Sequence, residues 1–147
     1  MSRIAVFPGS FDPMTTGHLA LLRRALPLFD RIVVAVGINT EKKGFMPVDE
    51  RVEHIRMAVA AMPKVEVTTY SCLTTDLCRQ LGASFILRGV RDAADFAYEQ
   101  KIADINRLIA PDIETVILLA DPSTAIISSS MVRELAAFGK DINKYLA

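Results

Sequence analysis

Tryptophan is absent from this 147-residue chain, cysteine occurs only twice, and the charges cancel, with 17 Lys and Arg against 17 Asp and Glu. Zero net charge argues against a protein that coats nucleic acid or another polyanion, which needs a broadly basic surface. It leaves room for a local basic pocket. Cys72 and Cys78 match neither a CxxC redox pair nor a zinc half-site, so they read as reduced thiols. No run approaches the roughly 20 apolar residues of a membrane helix, and the start, with Arg3 as its one basic residue, does not fit a signal peptide. The chain is expected to be cytoplasmic, without a nucleic-acid or membrane partner. Two nucleotide signatures are also missing: there is no GxxxxGK[ST] loop and no GxGxxG turn.

What is present is half hydrophobic, 51%, enough to argue against disorder and for a sizeable core. Apolar, β-branched runs predict strands over Ile4–Phe7, Arg31–Ile38, Val65–Tyr70, Ser84–Arg88 and Glu114–Leu119. Helical periodicity lies between them, over Gly17–Leu28, Val48–Met62, Thr74–Leu81, Ala93–Ile109 and Ser128–Phe138. Strands alternating with helices imply an α/β fold: a Rossmann-like parallel five-stranded sheet with helices on both faces. No linker or repeat divides the chain, so residues 1–147 are expected to form a single domain.

Ligands of open parallel sheets bind beyond the carboxyl ends of the strands. The segments expected there are Pro8–His18, Asn39–Lys43, Ser71–Thr75, Arg88–Asp92 and Ala120–Ser130. The first feeds a small-residue loop into a helix whose first turn carries Gly17 and His18. Free N–H groups and the helix dipole make such a turn an anion site. Ser10 offers a hydroxyl beside Gly9, or forms a local turn with Asp12. Gly17 is either a helix-start glycine or room for a phosphate. Arg88 and Arg91 suit bidentate phosphate binding or salt bridges to Asp92 and Asp95. Ser128, Ser129 and Ser130 are either a second anion cradle or one N-cap with two bystanders. His54 lies among Glu50, Arg51, Glu53 and Arg56, a charged helix face.

Gly9-Ser10-Phe11-Asp12-Pro13 with Thr15, Gly17 and His18 resembles the first motif of the T/H-x-G-H nucleotidyltransferases, and Ile127-Ser128-Ser129-Ser130-Met131-Val132-Arg133 is similar to their second. Arg88-Gly89-Val90-Arg91, Asp95-Phe96, Tyr98-Glu99 and Asn106-Arg107 resemble one branch, the phosphopantetheine adenylyltransferases. The resemblance runs over essentially the whole chain. It implies adenylyl transfer from ATP to 4′-phosphopantetheine, giving dephospho-coenzyme A and pyrophosphate.

It further implies that His18, Ser10, Lys42 and Arg91 are catalytic, with His18 on the ATP α-phosphate. Gly9, Ser10, Phe11, His18, Gly89, Val90, Arg91, Glu99 and Thr124-Ala125-Ile126-Ile127-Ser128-Ser129-Ser130 would bind ATP. Ser10, Lys42, Leu73, Thr74 and Arg88 would bind the acceptor. Asp95 would orient Arg91. Mg2+ would be held mainly by substrate phosphates and water, coenzyme A is a possible feedback ligand, and the expected assembly is a homohexamer. Phe96, Ile102, Ile105 and Ile109 would serve the core or that interface. Two alternatives stay open: transfer to another small phosphate acceptor, and a non-catalytic module that binds adenine nucleotides.

Overall fold

The computed structural model describes residues 2–41 and 44–147. Five strands, β1 (Ile4–Gly9), β2 (Arg31–Gly37), β3 (Val65–Tyr70), β4 (Phe85–Val90) and β5 (Glu114–Leu119), alternate with five helices. The helices are α1 (Thr16–Ala25), α2 (Val48–Ala58), α3 (Thr74–Leu81), α4 (Ala93–Ile109) and α5 (Ser129–Ala137). All strand pairs are parallel, in the order β3-β2-β1-β4-β5. The expected Rossmann-like α/β sheet is therefore present.

Strict side-chain alternation along the strands separates two cores. Ala5, Phe7, Ile32, Val34, Val36 and Leu87 pack with Leu22 of α1 and Ile55 of α2. Val6, Ala35 and Ile86 face the other way, onto Leu77 and Cys78 of α3 and Ala110 after α4. A buried parallel sheet needs such cover on both faces, because every strand carries apolar side chains both ways. Cys78 lies in the second core, and burial pushes its thiol up to about 11, so it is an inert apolar side chain.

Several element ends differ from the periodicity. α1 stops at Ala25 and tightens into a 3-10 turn over Leu26–Leu28, because Pro27 has no N–H for a helical bond. α2 ends at Ala58 rather than Met62, ahead of Pro63, which disfavours helical backbone in the residue before it. β1 and β4 end two residues later than expected, so Pro8, Gly9, Gly89 and Val90 belong to strands and not to the loops after them.

This last correction matters for function. β1 pairs with β2 through Gly9, but with β4 only as far as Val6 opposite Ile86. Beyond that point the strands part. Pro8 has no N–H to extend a ladder, and the Arg88 side chain takes its carbonyl oxygen at 2.7 Å. Strand order reverses at β1, so the opening is the topological switch point of the sheet, where ligands of this architecture bind.

Candidate active site

The β1–α1 loop is largely buried. Phe11 to Thr15 are all buried, and Phe11 has φ 47, the left-handed region that disfavours large side chains. Its ring holds it there, edge-on to Phe7 and to His18 with centroids 5.2 Å apart in each pair. A methyl on Gly9 would meet that ring at 3.1 Å, so the turn closes because residue 9 has no side chain.

Thr15 is the N-cap of α1, and the cap is reciprocal with His18. The Thr15 N–H donates to His18 Nδ1 at 2.9 Å, while the His18 N–H is 3.4 Å from Thr15 Oγ1. A backbone N–H can only donate, so Nδ1 is the bare nitrogen and the proton of the neutral ring sits on Nε2. Burial first, then the charges of Arg88 and Arg91, lower the His18 pKa from 6.5 to about 4. With no anion bound, His18 is a neutral imidazole with a fixed tautomer.

A cleft of about 280 Å³, open to solvent, lies over this loop, near the lower end of the roughly 300–1,000 Å³ range of small-molecule sites. Gly9, Ser10, Phe11, His18, Arg88, Gly89, Val90, Arg91, Thr124, Ile127, Ser128 and Ser129 line it. Of the residues expected there, Ala125, Ile126, Ser130 and Glu99 are not among the lining, and Ile126 is 81% exposed.

Glu99 instead faces Arg88. Its two carboxylate oxygens accept from Arg88 Nε at 2.7 Å and Nη2 at 2.5 Å. Burial works against the Arg88 charge, but these bonds and the Glu99 carboxylate hold its pKa above the ordinary value. The pair lines a second cavity of about 150 Å³, with Tyr70, Thr74, Ile102, Asn106 and Thr115. Pro8, Gly9 and Arg88 border both spaces. Thr74 is 3.2 Å from the Tyr70 hydroxyl, whereas Leu73, the N-cap of α3, is 61% exposed and outside the lining of either space. Arg91 is paired with Asp95 at 3.1 Å, as expected, and Asp92 caps α4.

The three serines divide their roles. Ser128 is the N-cap of α5, Ser129 Oγ donates to Pro13 O at 2.7 Å, and Ser130 accepts from Arg133. They do not form a three-hydroxyl cradle, because consecutive residues at a helix start point in different directions. Gly17 has a third role. A methyl there would meet Ile127 O at 3.3 Å and Thr124 O at 3.5 Å, so glycine lets the 124–127 turn sit against α1.

Two residues have structural roles that neither the first motif nor the charged face of α2 announces. Asp12 and Arg51 are both buried, and both belong to one hydrogen-bonded group with the 44–46 segment. Arg51 is thus not on a solvated face, and its neighbour His54 also turns inward, with Nε2 3.1 Å from Ala147 O. Lys42 lies outside the described residues.

Comparison with known proteins agrees with this geometry. The cytidylyltransferase-like family model matches residues 6–135, a span that includes both loops and the Arg88–Arg91 segment. The chain is 49% identical over 144 residues to a phosphopantetheine adenylyltransferase of Phocaeicola vulgatus, covering 98% of this chain and 95% of that one. It is 47% identical over 141 residues to that of Levilactobacillus brevis, covering 96% and 88%.

Among solved structures, a bifunctional NMN adenylyltransferase/ADP ribose pyrophosphatase from Francisella tularensis superposes with a TM-score of 0.74 at 17% identity, over 99% of this chain and 45% of that one. A protein from Vibrio parahaemolyticus provisionally named nicotinate-nucleotide adenylyltransferase gives 0.65 at 18%, over 100% and 94%. At such identities these two speak for the fold alone. Near-half identity over almost the whole length says more, and this chain belongs to the cytidylyltransferase-like family and, within it, to the phosphopantetheine adenylyltransferases.

Proposed function

We propose that this protein transfers the adenylyl group of ATP to 4′-phosphopantetheine, forming dephospho-coenzyme A and pyrophosphate. The observation that carries this reading is the pair of cavities sharing Arg88. ATP occupies the larger, against the β1–α1 loop, the 124–129 segment and Arg91. The acceptor arm occupies the smaller, past Thr74 and Asn106, and brings its phosphate to Arg88 and Ser10. An oxygen of that phosphate attacks the α-phosphorus of ATP in line. The bond to the bridging oxygen of the β-phosphate breaks, and pyrophosphate leaves with the electron pair. The nucleophile arrives ionised, so no general base is required, and catalysis rests on positioning and charge stabilisation.

His18 suits that task. Its Nε2–H is a donor whose direction is set by the Thr15 bond, aimed at charge gathering on the α-phosphate. Ser10, at the turn of the loop, and Arg91, braced by Asp95, hold the flanking oxygens, and Lys42 is assigned to the phosphates by family pattern. Glu99 acts here through Arg88 and not on the nucleotide directly. Leu73 would contact the acceptor from the rim of its cavity.

Nucleotidyltransferases use a divalent metal in general, and Mg2+ is the ion proposed. The ion would travel with the nucleotide, held mainly by substrate phosphates and water. When bound, it would neutralise charge on the triphosphate. Coenzyme A, which carries the product's structure, would compete for the same two cavities. A homohexamer is supported by the apolar side chains that α4 leaves in solvent, among them Phe96, Ile105 and Ile109, each about half exposed or more. Ile102 lines the acceptor cavity instead. The cytoplasm is the proposed compartment, and among the described residues no helix is long and apolar enough to cross a membrane.

The test is direct. ATP with Mg2+ and 4′-phosphopantetheine should release pyrophosphate and give a product with the mass of dephospho-coenzyme A. ATP binding without turnover on that acceptor, or turnover only on another phosphate, overturns the reading.

A further inference from the structure

The loop from β2 to α2 carries Lys42, and its far end is tied to the β1–α1 loop by a buried ionic clasp. The Asp12 carboxylate accepts from the N–H groups of Phe45 at 2.8 Å and Met46 at 2.7 Å. Arg51 reaches in from α2. Its Nε donates to Met46 O at 2.8 Å and lies 3.6 Å from Asp12 Oδ1, while Nη1 donates to Ser10 O at 3.2 Å. Arg133 of α5 donates to Asp12 O at 2.8 Å. Asp12 and Arg51 are each 7% exposed, and neither side chain is among the lining of the two cavities. Gly44 completes the fit, for a methyl there would lie 2.6 Å from Asp12 Oδ2 and 2.7 Å from Arg51 Nη2.

A buried ion pair is a poor way to gain stability, since desolvation offsets most of the attraction. It is a good way to register two segments, because charge and hydrogen-bond geometry admit one arrangement. This pair registers the segment just after Lys42 to the backbone of Ser10. We propose that Asp12 and Arg51 are positioning residues for the transfer reaction, locking Gly44–Met46 onto the Ser10–Asp12 turn, and that their contribution to the rate runs through Lys42. The inference rests on the reaction proposed above.

The test is Gly44→Ala, which pushes the clasp apart without removing a charge or altering a cavity wall. Amide exchange at Phe45 and Met46 reads the clasp, and steady-state kinetics read the reaction, each in wild-type and Lys42→Ala backgrounds. Lost protection should accompany a fall in kcat of about 10- to 100-fold, the scale of an ångström-level misplacement. In the Lys42→Ala background the same change should cost less than about threefold, because the group it positions is gone. Equal costs in both backgrounds, lost protection with wild-type kcat, or a fully active Lys42→Ala enzyme overturns the proposal. If the alanine leaves protection intact, Asp12→Asn, read the same way, decides. A wild-type protein that releases no pyrophosphate with any acceptor fails differently: it sinks the proposed reaction first and this inference with it.

Discussion

Two walls of the same cleft begin alike and end differently. Each runs from a strand end into a helix capped by a hydroxyl, Thr15 for α1 and Ser128 for α5. The first wall, residues 8–18, is buried from Phe11 to Thr15 and fastened from three directions, by Arg51, Arg133 and Ser129. The second, residues 120–128, is held mostly by its own short-range bonds, such as Ser123 to Asp121 and Ile127 N–H to Thr124 O at 2.9 Å. Under the proposed reaction the contrast would separate two tasks. Charge stabilisation needs donors fixed before the reaction, so that nothing reorganises as charge develops. Holding the rest of a nucleotide tolerates a wall that yields.

The comparison can be broken most sharply at His18. His18→Ala should lower kcat by about a hundredfold or more, the scale of a lost oxyanion donor, with ATP affinity largely kept. An unchanged rate would remove His18 from the mechanism. Next, Ser128→Ala on the yielding wall should cost about 1 kcal/mol of stability, an ordinary N-cap loss, visible in chemical denaturation. A loss of activity as large as that of His18→Ala would erase the distinction between the walls. Gly17→Ala tests where they meet. The Ile127 carbonyl 3.3 Å from the new methyl must give by a few tenths of an ångström, so calorimetry should show ATP affinity falling severalfold while the melting temperature barely moves. Smallest of all, Ile126→Ser should change stability by less than about 0.5 kcal/mol, since its side chain is 81% exposed.

Protonation sharpens the same contrast. With its pKa lowered from 6.5 to about 4, folded His18 refuses a proton that the unfolded chain accepts. Its contribution to stability is therefore complete above about pH 6.5 and is lost as pH falls toward 4. The His18→Ala variant should lack that slope. In the wild type, the His18 imidazole NMR signals should stay flat from pH 8 to about 5 and titrate at higher pH once pyrophosphate is added, because a bound anion favours the charged ring.

Much of this was legible before any coordinates. The βα alternation predicted the parallel sheet, and Thr74–Leu81, Ala93–Ile109, Val65–Tyr70 and Glu114–Leu119 end where periodicity places them. His18, Ser10 and Arg91 stood out because their chemistry is written in contiguous motifs. The misplacements share one cause. Arg51 and His54 read as a charged helix face, because the partner that buries Arg51 lies 39 positions away, at Asp12. Glu99 read as a nucleotide contact by family pattern, but its carboxylate is claimed by Arg88 across the sheet opening. The serine run read as a possible cradle because hydroxyl count ignores direction.

Local order in this protein, its strands, helices and the anion-binding turn at Thr15–His18, is determined by the sequence, since periodicity, caps and glycine act over a few residues. Membership of the adenylyltransferases is legible there too, in motifs that survive as contiguous strings. What only the tertiary structure decided is which polar groups meet: Asp12 with Arg51, Arg88 with Glu99, Gly17 with Ile127. The outcome of each meeting depends on desolvation and distance, quantities that exist only after the sheet has assembled.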